Sequence, residues 1–243
     1  MPTYNDYGIV LNDYDFADAD KILNIYTKEN GLVRAICKGI RKLGSKLSGK
    51  VNQISCCCFQ FAKGKNLDVV CDCEQINTFS LLRSDLTRLT YAILFAEVVS
   101  KFAHEKETES SHIYDLLYSS LDELQRTSDP ELFSIKFITQ FLSIHGYKPQ
   151  LETCVSCSLE VLKSENIYLY SSILGGLLCS ECASVIDHKS VDINVLKIIR
   201  ECGVQNTERE VRENVRKALA LLKEHINHRA KSSIKTFDLV FSL

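Results

Sequence analysis

The chain has 243 residues, 45% of them hydrophobic and 25% charged, with a formal net charge of −2. Such composition excludes a disordered chain, and bulk charge gives no reason to expect a polyanion as partner; only its distribution could. No stretch approaches the ~18 consecutive apolar residues of a membrane span, and the start MPTYNDYG lacks a basic-then-apolar signal pattern, so a cytoplasmic protein without membrane contact is expected.

Residues 1–79 read as strands. Apolar runs lie at Tyr7–Leu11, Lys21–Thr27, Leu32–Cys37, Asn52–Ala62 and Leu67–Phe79. Asn30-Gly31 is a hairpin signal between the second and third, and Lys63–Asn66 joins the last two. Five short strands predict a small closed or half-closed barrel of the oligonucleotide-binding (OB) type. Between the third and fourth runs, Lys38–Lys50 is rich in Gly, Ser and Lys and reads as a mobile loop.

Charge is segregated along this region. Residues 1–29 hold six acids (Asp6, Asp13, Asp15, Asp18, Asp20 and Glu29), whereas 30–67 hold none. That acid-free window carries Arg34, Lys38, Arg41, Lys42, Lys46, Lys50, Lys63 and Lys65. These cations fall on the third strand, the loop after it and the last hairpin, where an OB barrel lines its oligonucleotide face. Phosphates on a flexible backbone suit Lys on a Gly/Ser loop, and Tyr26, Phe59 or Phe61 are candidate stacking partners for bases, each weighed against an ordinary core role.

From Ser80 the pattern is helical. Ser84–His104 forms one helix, and Ser111 can cap a second with Ile113, Leu117, Leu121 and Leu124 on one face. Asp129-Pro130 starts a third, which runs to about His145 and ends at Gly146. Its apolar residues on every side predict burial within a bundle. The segment Glu97–Glu131 is acidic and is expected to face solvent or a basic partner. Val191–Cys202 reads as a short helix; Thr207–Glu210 reads as a capping box opening a longer one striped by Val211, Val215, Ala218, Leu222 and Ile226. The tail Ser233–Leu243 is apolar enough to dock on the bundle.

Eleven cysteines in a reducing compartment should be thiols or metal ligands. Cys154-x-x-Cys157 and Cys179-x-x-Cys182, 21 residues apart, are two knuckles that together make a tetrahedral four-sulfur site. With no open ligand position beside them, the implied Zn(2+) is structural. Gly175-Gly176 can supply a sharp turn before the second pair. Cys56, Cys57 and Cys58 alternate along one strand and cannot share a metal; Cys71 and Cys73 are expected on one face near Cys57, more as small core residues than as a second metal site.

A second basic run comprises Arg216, Lys217, Lys223, Arg229, Lys231 and Lys235, opposed only by Glu224. It suits DNA or an acidic protein tail, or simply a solvated helix face. His225 and His228 beside it read as surface histidines. No P-loop, nucleophile elbow, zinc-protease or kinase pattern occurs, so a binding protein rather than an enzyme is expected.

The order of parts resembles the RecO family of bacterial recombination mediators along nearly the whole chain. The carrying segments are Tyr7–Leu11, Asp18-x-Asp20-Lys21-Ile22-Leu23, Thr27–Leu32, Lys38–Arg41, Gly146-Tyr147-x-Pro149, the cysteine pairs, His228-Arg229 and Ser232–Lys235. The resemblance implies a multidomain α+β protein: an N-terminal OB-fold β-barrel at 1–79, then an α-helical domain at 80–243 with a zinc insert at about 150–183. It implies binding of single- and double-stranded DNA, annealing of complementary strands, and a nucleoid-associated role. Its partners would be RecR, single-strand-binding protein and, indirectly, RecA. Because single-strand-binding tails are acidic, the second basic run is the candidate for that contact. The rival readings are an RNA-binding OB protein and a protein-interaction adaptor.

Overall fold

A computed structural model describes residues 2–161, 166–201 and 209–243, with the side chains of Arg209 and Glu210 left aside. Packing divides the chain into two compact units, Met1–Thr127 with Lys235–Leu243, and Ser128–Ile234. The change from strands to helices at Phe79–Ser80 therefore falls inside the first unit.

Five strands close a barrel in the order β1-β2-β3-β5-β4: β1 Thr3–Phe16, β2 Asp20–Thr27, β3 Gly31–Cys37, β4 Cys56–Ala62 and β5 Asp68–Asn77. β1 is far longer than the expected Tyr7–Leu11. Its first half pairs with β4 and its second half with β2, with a register shift between Val10 and Asn12. Gly8 lets it curve inward, since a Cβ there would lie 2.5 Å from Ile25. The β2–β3 hairpin turns at Asn30-Gly31 as expected. Gly31 takes φ 64°, and the buried Asp6 carboxylate accepts hydrogen bonds from Glu29 N–H (3.2 Å) and Asn30 Nδ2 (2.8 Å). Val10, Leu23, Ile25, Val33, Ala35, Phe59, Phe61 and Val70 fill the interior with Cys37, Cys57 and Cys73.

The loop 38–50 is a string of tight turns tethered to the barrel. Gly39 N–H donates to Asp20 (2.7 Å), Arg41 N–H donates to the Ala19 carbonyl (3.0 Å), and Ile40, Leu47 and Val51 pack into the barrel core. Three helices follow: α1 Ser80–Arg83, α2 Leu86–Phe102 and α3 Ser110–Leu124. α2 is capped by Asp85 and is mostly apolar, packing against β1, α1, α3 and the C-terminal α8, Thr236–Val240. Ser111 is not the cap expected of it: α3 starts at Ser110 with Glu109 in the cap position, two residues earlier, and the Ser110 hydroxyl donates to the Lys28 carbonyl. Two acids of the acidic segment turn inward, Glu107 to the Tyr26 hydroxyl and Glu97 to the start of α8.

In the second unit α4, Pro130–Ile144, opens as the sequence implies, with Asp129 accepting from Leu132 N–H at 2.9 Å and Gly146 at φ 72°. Beyond it stands a small sheet not foreseen from sequence, in the order β7-β6-β8: β6 Ile167–Ser171, β7 Gly176–Leu178 and β8 Lys189–Asp192. Between β7 and β8 lies α5, Ser180–Ala183. The helix expected from Val191 begins at Ile193 (α6, Ile193–Glu201), because Val191 pairs with Tyr168 in the sheet. α7, Arg209–Asn227, buries Val215, Ala218, Leu222 and Ile226. The Thr207 capping box lies outside the described residues.

Candidate nucleic-acid interface and metal centre

The eight cations of the acid-free window lie on or around the barrel, but they are not equivalent. Arg34, Lys38, Lys42, Lys46 and Lys65 are exposed and form no ion pair among the described residues. Arg41 is held by Asp15 at 3.2 Å, both side chains largely exposed. Lys50 donates to the Cys73 carbonyl at 3.4 Å. Lys63 pairs with Asp68 at 3.3 Å and lies over the Tyr4 ring. Burial alone would raise Asp68, but hydrogen bonds from Tyr4, Gly64 N–H and Lys63 outweigh it and hold its carboxyl below the usual range. This charged anchor fixes the β4–β5 hairpin, so Lys63 is a structural cation.

β3 and β5 pair in parallel only at Ala35–Ile36 with Asp68–Val69. Beside that short seam a cleft of about 120 Å³ is lined by the cations Arg34, Lys63, Lys65 and Lys106 together with the acids Asp68 and Glu105. In the loop 38–50, Leu43 projects fully into solvent, flanked in sequence by Arg41, Lys42 and Lys46. The three aromatics considered as stacking partners are not available: Tyr26, Phe59 and Phe61 are all fully buried. Alternation sends Phe59 and Phe61 into the barrel, and Tyr26 lies beneath Glu107, its hydroxyl donating to that carboxylate at 2.8 Å. The exposed aromatics of the barrel strands are Tyr7, Tyr14 and Phe16, all on β1.

Cys154, Cys157, Cys179 and Cys182 come together with their sulfurs all within 4.8 Å of one another. The first knuckle is closed by Ser158 N–H donating to the Cys154 carbonyl, and the second by Ala183 N–H donating to that of Cys179. Cys157 and Cys179 sulfurs are 3.7 Å apart, close to the ~3.8 Å edge of a tetrahedron with 2.3 Å metal–sulfur bonds. Burial disfavours the Cys154 thiolate, but N–H groups of Cys179, Cys157 and Ser156 outweigh it and bring its pKa down to about 6. A donor set of four converging thiols at this spacing fits Zn(2+). Only Cys154, Leu178 and Ala183 are fully buried in the local core, too few to hold the segment by apolar packing alone. Among the described residues no other cluster could hold a metal. Cys57 and Cys73 are buried in the barrel, but Cys71 does not share their face: a register shift beyond Gln60 turns it to solvent.

The second basic run is dispersed. Lys217 pairs with Glu213 at 2.7 Å, Arg216 lies near Glu131, and Lys235 belongs to the first unit. Lys223 is half-buried, whereas Lys231 is exposed. Arg229 is spent inside its own unit, Nη1 donating to the carbonyls of Ser172 and His225. His225 is not a surface residue but 1% exposed. Its Nε2 faces the Tyr147 carbonyl at 2.7 Å and its Nδ1 faces the Tyr170 hydroxyl at 2.5 Å. This assigns the Nε2–H tautomer, with the tyrosine donating to Nδ1. Burial, then the Arg229 charge, lowers its pKa to about 4. His228 is exposed as expected.

A closed five-stranded barrel in this strand order, bearing unpaired cations and followed by helices and a four-thiol cluster, defines an OB-type barrel protein with a metal-compatible helical part. Residues 1–79 match the family described as Recombination protein O N terminal, and residues 83–236 match Recombination protein O C terminal. A DNA repair protein RecO of Alkaliphilus metalliredigens is 35% identical over 193 residues, 79% of this chain and 76% of that protein. One from Symbiobacterium thermophilum is 33% identical over 183 residues, 75% of this chain and 72% of its own. One from Pelotomaculum thermopropionicum is 28% identical over 246 residues, 98% of this chain and 93% of its own. The chain belongs to the RecO family of DNA repair proteins. No helix among the described residues is long and apolar enough to cross a membrane.

Proposed function

We propose that the chain is a recombination mediator that binds single- and double-stranded DNA through its barrel, residues 1–79, and anneals complementary strands without catalysing a covalent step. With RecR it would help RecA load onto DNA coated by single-strand-binding protein, whose acidic tail would meet the exposed cations of the second basic run. Zn(2+) at Cys154, Cys157, Cys179 and Cys182 would be structural, bracing the helical part while the barrel handles DNA at the nucleoid.

The observation that carries this reading is the set of five exposed, unpaired cations on the barrel. Cations on strands and loops neutralise phosphates of two strands at once and lower their mutual repulsion, while backbone contacts leave base edges free to pair. The test mixes complementary oligonucleotides, one coated with single-strand-binding protein, with the chain at two salt concentrations and no ATP. Salt-sensitive acceleration of duplex formation supports the reading. No acceleration by the folded, zinc-loaded protein overturns it; preference for RNA of the same sequence points to an RNA-binding protein instead.

A further inference from the structure

The outer face of the barrel carries an apolar row that has no use in the core. Cross-strand register places Tyr14 opposite Ile22, Ile22 opposite Ile36, and Ile36 beside Val69. The residues between them in β2 and β3 (Leu23, Ala35 and Cys37) point into the barrel, so the row itself points outward. Ile22, Ile36 and Val69 are half-buried, while Tyr14 is 56% exposed and Phe16, two residues on along the same face, 44%.

Charge around the row is polarised. On the β3 side stand Arg34, on the same face as Ile36, and Lys38, one residue past the strand, both exposed and without an ion pair among the described residues. The acids of the β1–β2 side already have partners. Asp13 and Asp15 alternate to the other face, where Lys21 (2.6 Å) and Arg41 (3.2 Å) neutralise them. Asp20, opposite Phe16, accepts from Gly39 N–H. A ligand lying across this face meets unpaired cations along one margin and apolar and aromatic surface beyond them. Unpaired nucleotides have matching chemistry, with an anionic backbone on one side and flat apolar faces on the other.

We propose that Tyr14 and Phe16 form a base-stacking platform for single-stranded DNA, with the phosphates tracking Arg34 on β3 and Lys38 just past its end, and the bases directed toward β1. The inference rests on the DNA-binding reading above and adds to it the residues that tell single strands from duplex. A duplex keeps its base faces stacked on each other and offers the platform nothing. Stacking also releases no counterions, so its loss leaves the salt dependence of binding unchanged.

The experiment titrates the full chain with a mixed-sequence single strand, the matching duplex, and a fully abasic strand of equal length. Tyr14→Ala should weaken the single strand roughly 5- to 150-fold for each stacked base lost, leave duplex and abasic affinities and the salt slope unchanged, and be rescued by Tyr14→Phe. Since the chain has no tryptophan, Tyr14→Trp gives a single reporter whose fluorescence the single strand, but not the abasic strand, should quench. Equal losses on all three ligands, or none on any, overturn the platform while leaving DNA binding in place. A parent protein that binds none of the three removes both readings.

Discussion

Replacing Lys38, Lys42 and Lys46 together by Ala removes three of the five exposed, unpaired barrel cations while touching no residue of the barrel core. Each phosphate neutralised on a single strand contributes about −0.7 to the slope of log affinity against log salt. Five contacts give a slope of about −3.5, hence roughly a hundredfold loss of affinity between 50 and 200 mM salt. Two remaining contacts give about −1.4, or roughly a sevenfold loss. Arg41→Ala and Lys63→Ala should each change the slope little, because Asp15 and Asp68 already offset those charges. The assay is fluorescence anisotropy of a labelled single strand at four salt concentrations, with circular dichroism to check folding. A triple variant that folds normally and keeps the parent slope would remove the loop from the DNA site and refute the reasoning.

The buried imidazole sets a pH dependence. With a folded pKa of about 4 against 6.5 unfolded, the unfolded chain takes up a proton first as pH falls, so stability is full above pH ~6.5 and lost on descending toward 4. The expected loss at pH 5 is about 2 kcal/mol, read as a lower urea midpoint that His225→Gln abolishes; an unchanged pH profile in that variant would assign the effect elsewhere. Gly175→Ala should cost about 1–3 kcal/mol in a thermal melt, since φ is +86° and the new Cβ would fall 1.9 Å from Arg229 Nη2; a neutral result would mean the Arg229 contacts to Ser172 and His225 carry little.

Local chemistry was readable in the sequence where it acts between near neighbours. Asn30-Gly31 needs only its own φ, Asp129 only the N–H three residues on, and each cysteine knuckle only one turn of chain. Features made by distant partners were hidden. The second half of β1, Asn12–Phe16, reads as polar loop until β2 supplies its ladder. β8, Lys189–Asp192, has one apolar residue and is a strand only because β6 is there to pair with. Period-two alternation separates two faces but does not name the inner one until the barrel closes. Hence Tyr26, Phe59 and Phe61 were candidates for bases and are buried, whereas Tyr14 and Phe16 were overlooked among the acids around them. His225 looked exposed because Tyr147 and Tyr170, which bury it, lie far away along the chain.

The route of the chain decides what metal loss should do to the barrel. The chain leaves the first unit after Thr127 and re-enters it at Lys235, where the Glu97 carboxylate accepts from Lys235 N–H (3.1 Å), Thr236 N–H (2.8 Å) and Thr236 Oγ1 (2.6 Å). Stripping zinc and unfolding Ser128–Ile234 would turn that segment into a disordered loop whose ends α8 must still hold together. Closing a loop on the order of 100 residues costs about 4–5 kcal/mol. Against this, burying Phe237 and Val240 contributes about 3–6 kcal/mol, and hydrogen bonds to a carboxylate add about 1.5–3 kcal/mol each. The docked tail wins, so the first unit should keep its fold and its salt-dependent DNA affinity after chelation, while the second unit loses its cooperative melt. Anisotropy on EDTA-treated protein checks this, with circular dichroism reporting the lost helices. If DNA affinity falls together with α4 and α7, the two units are not separable and zinc supports the barrel as well.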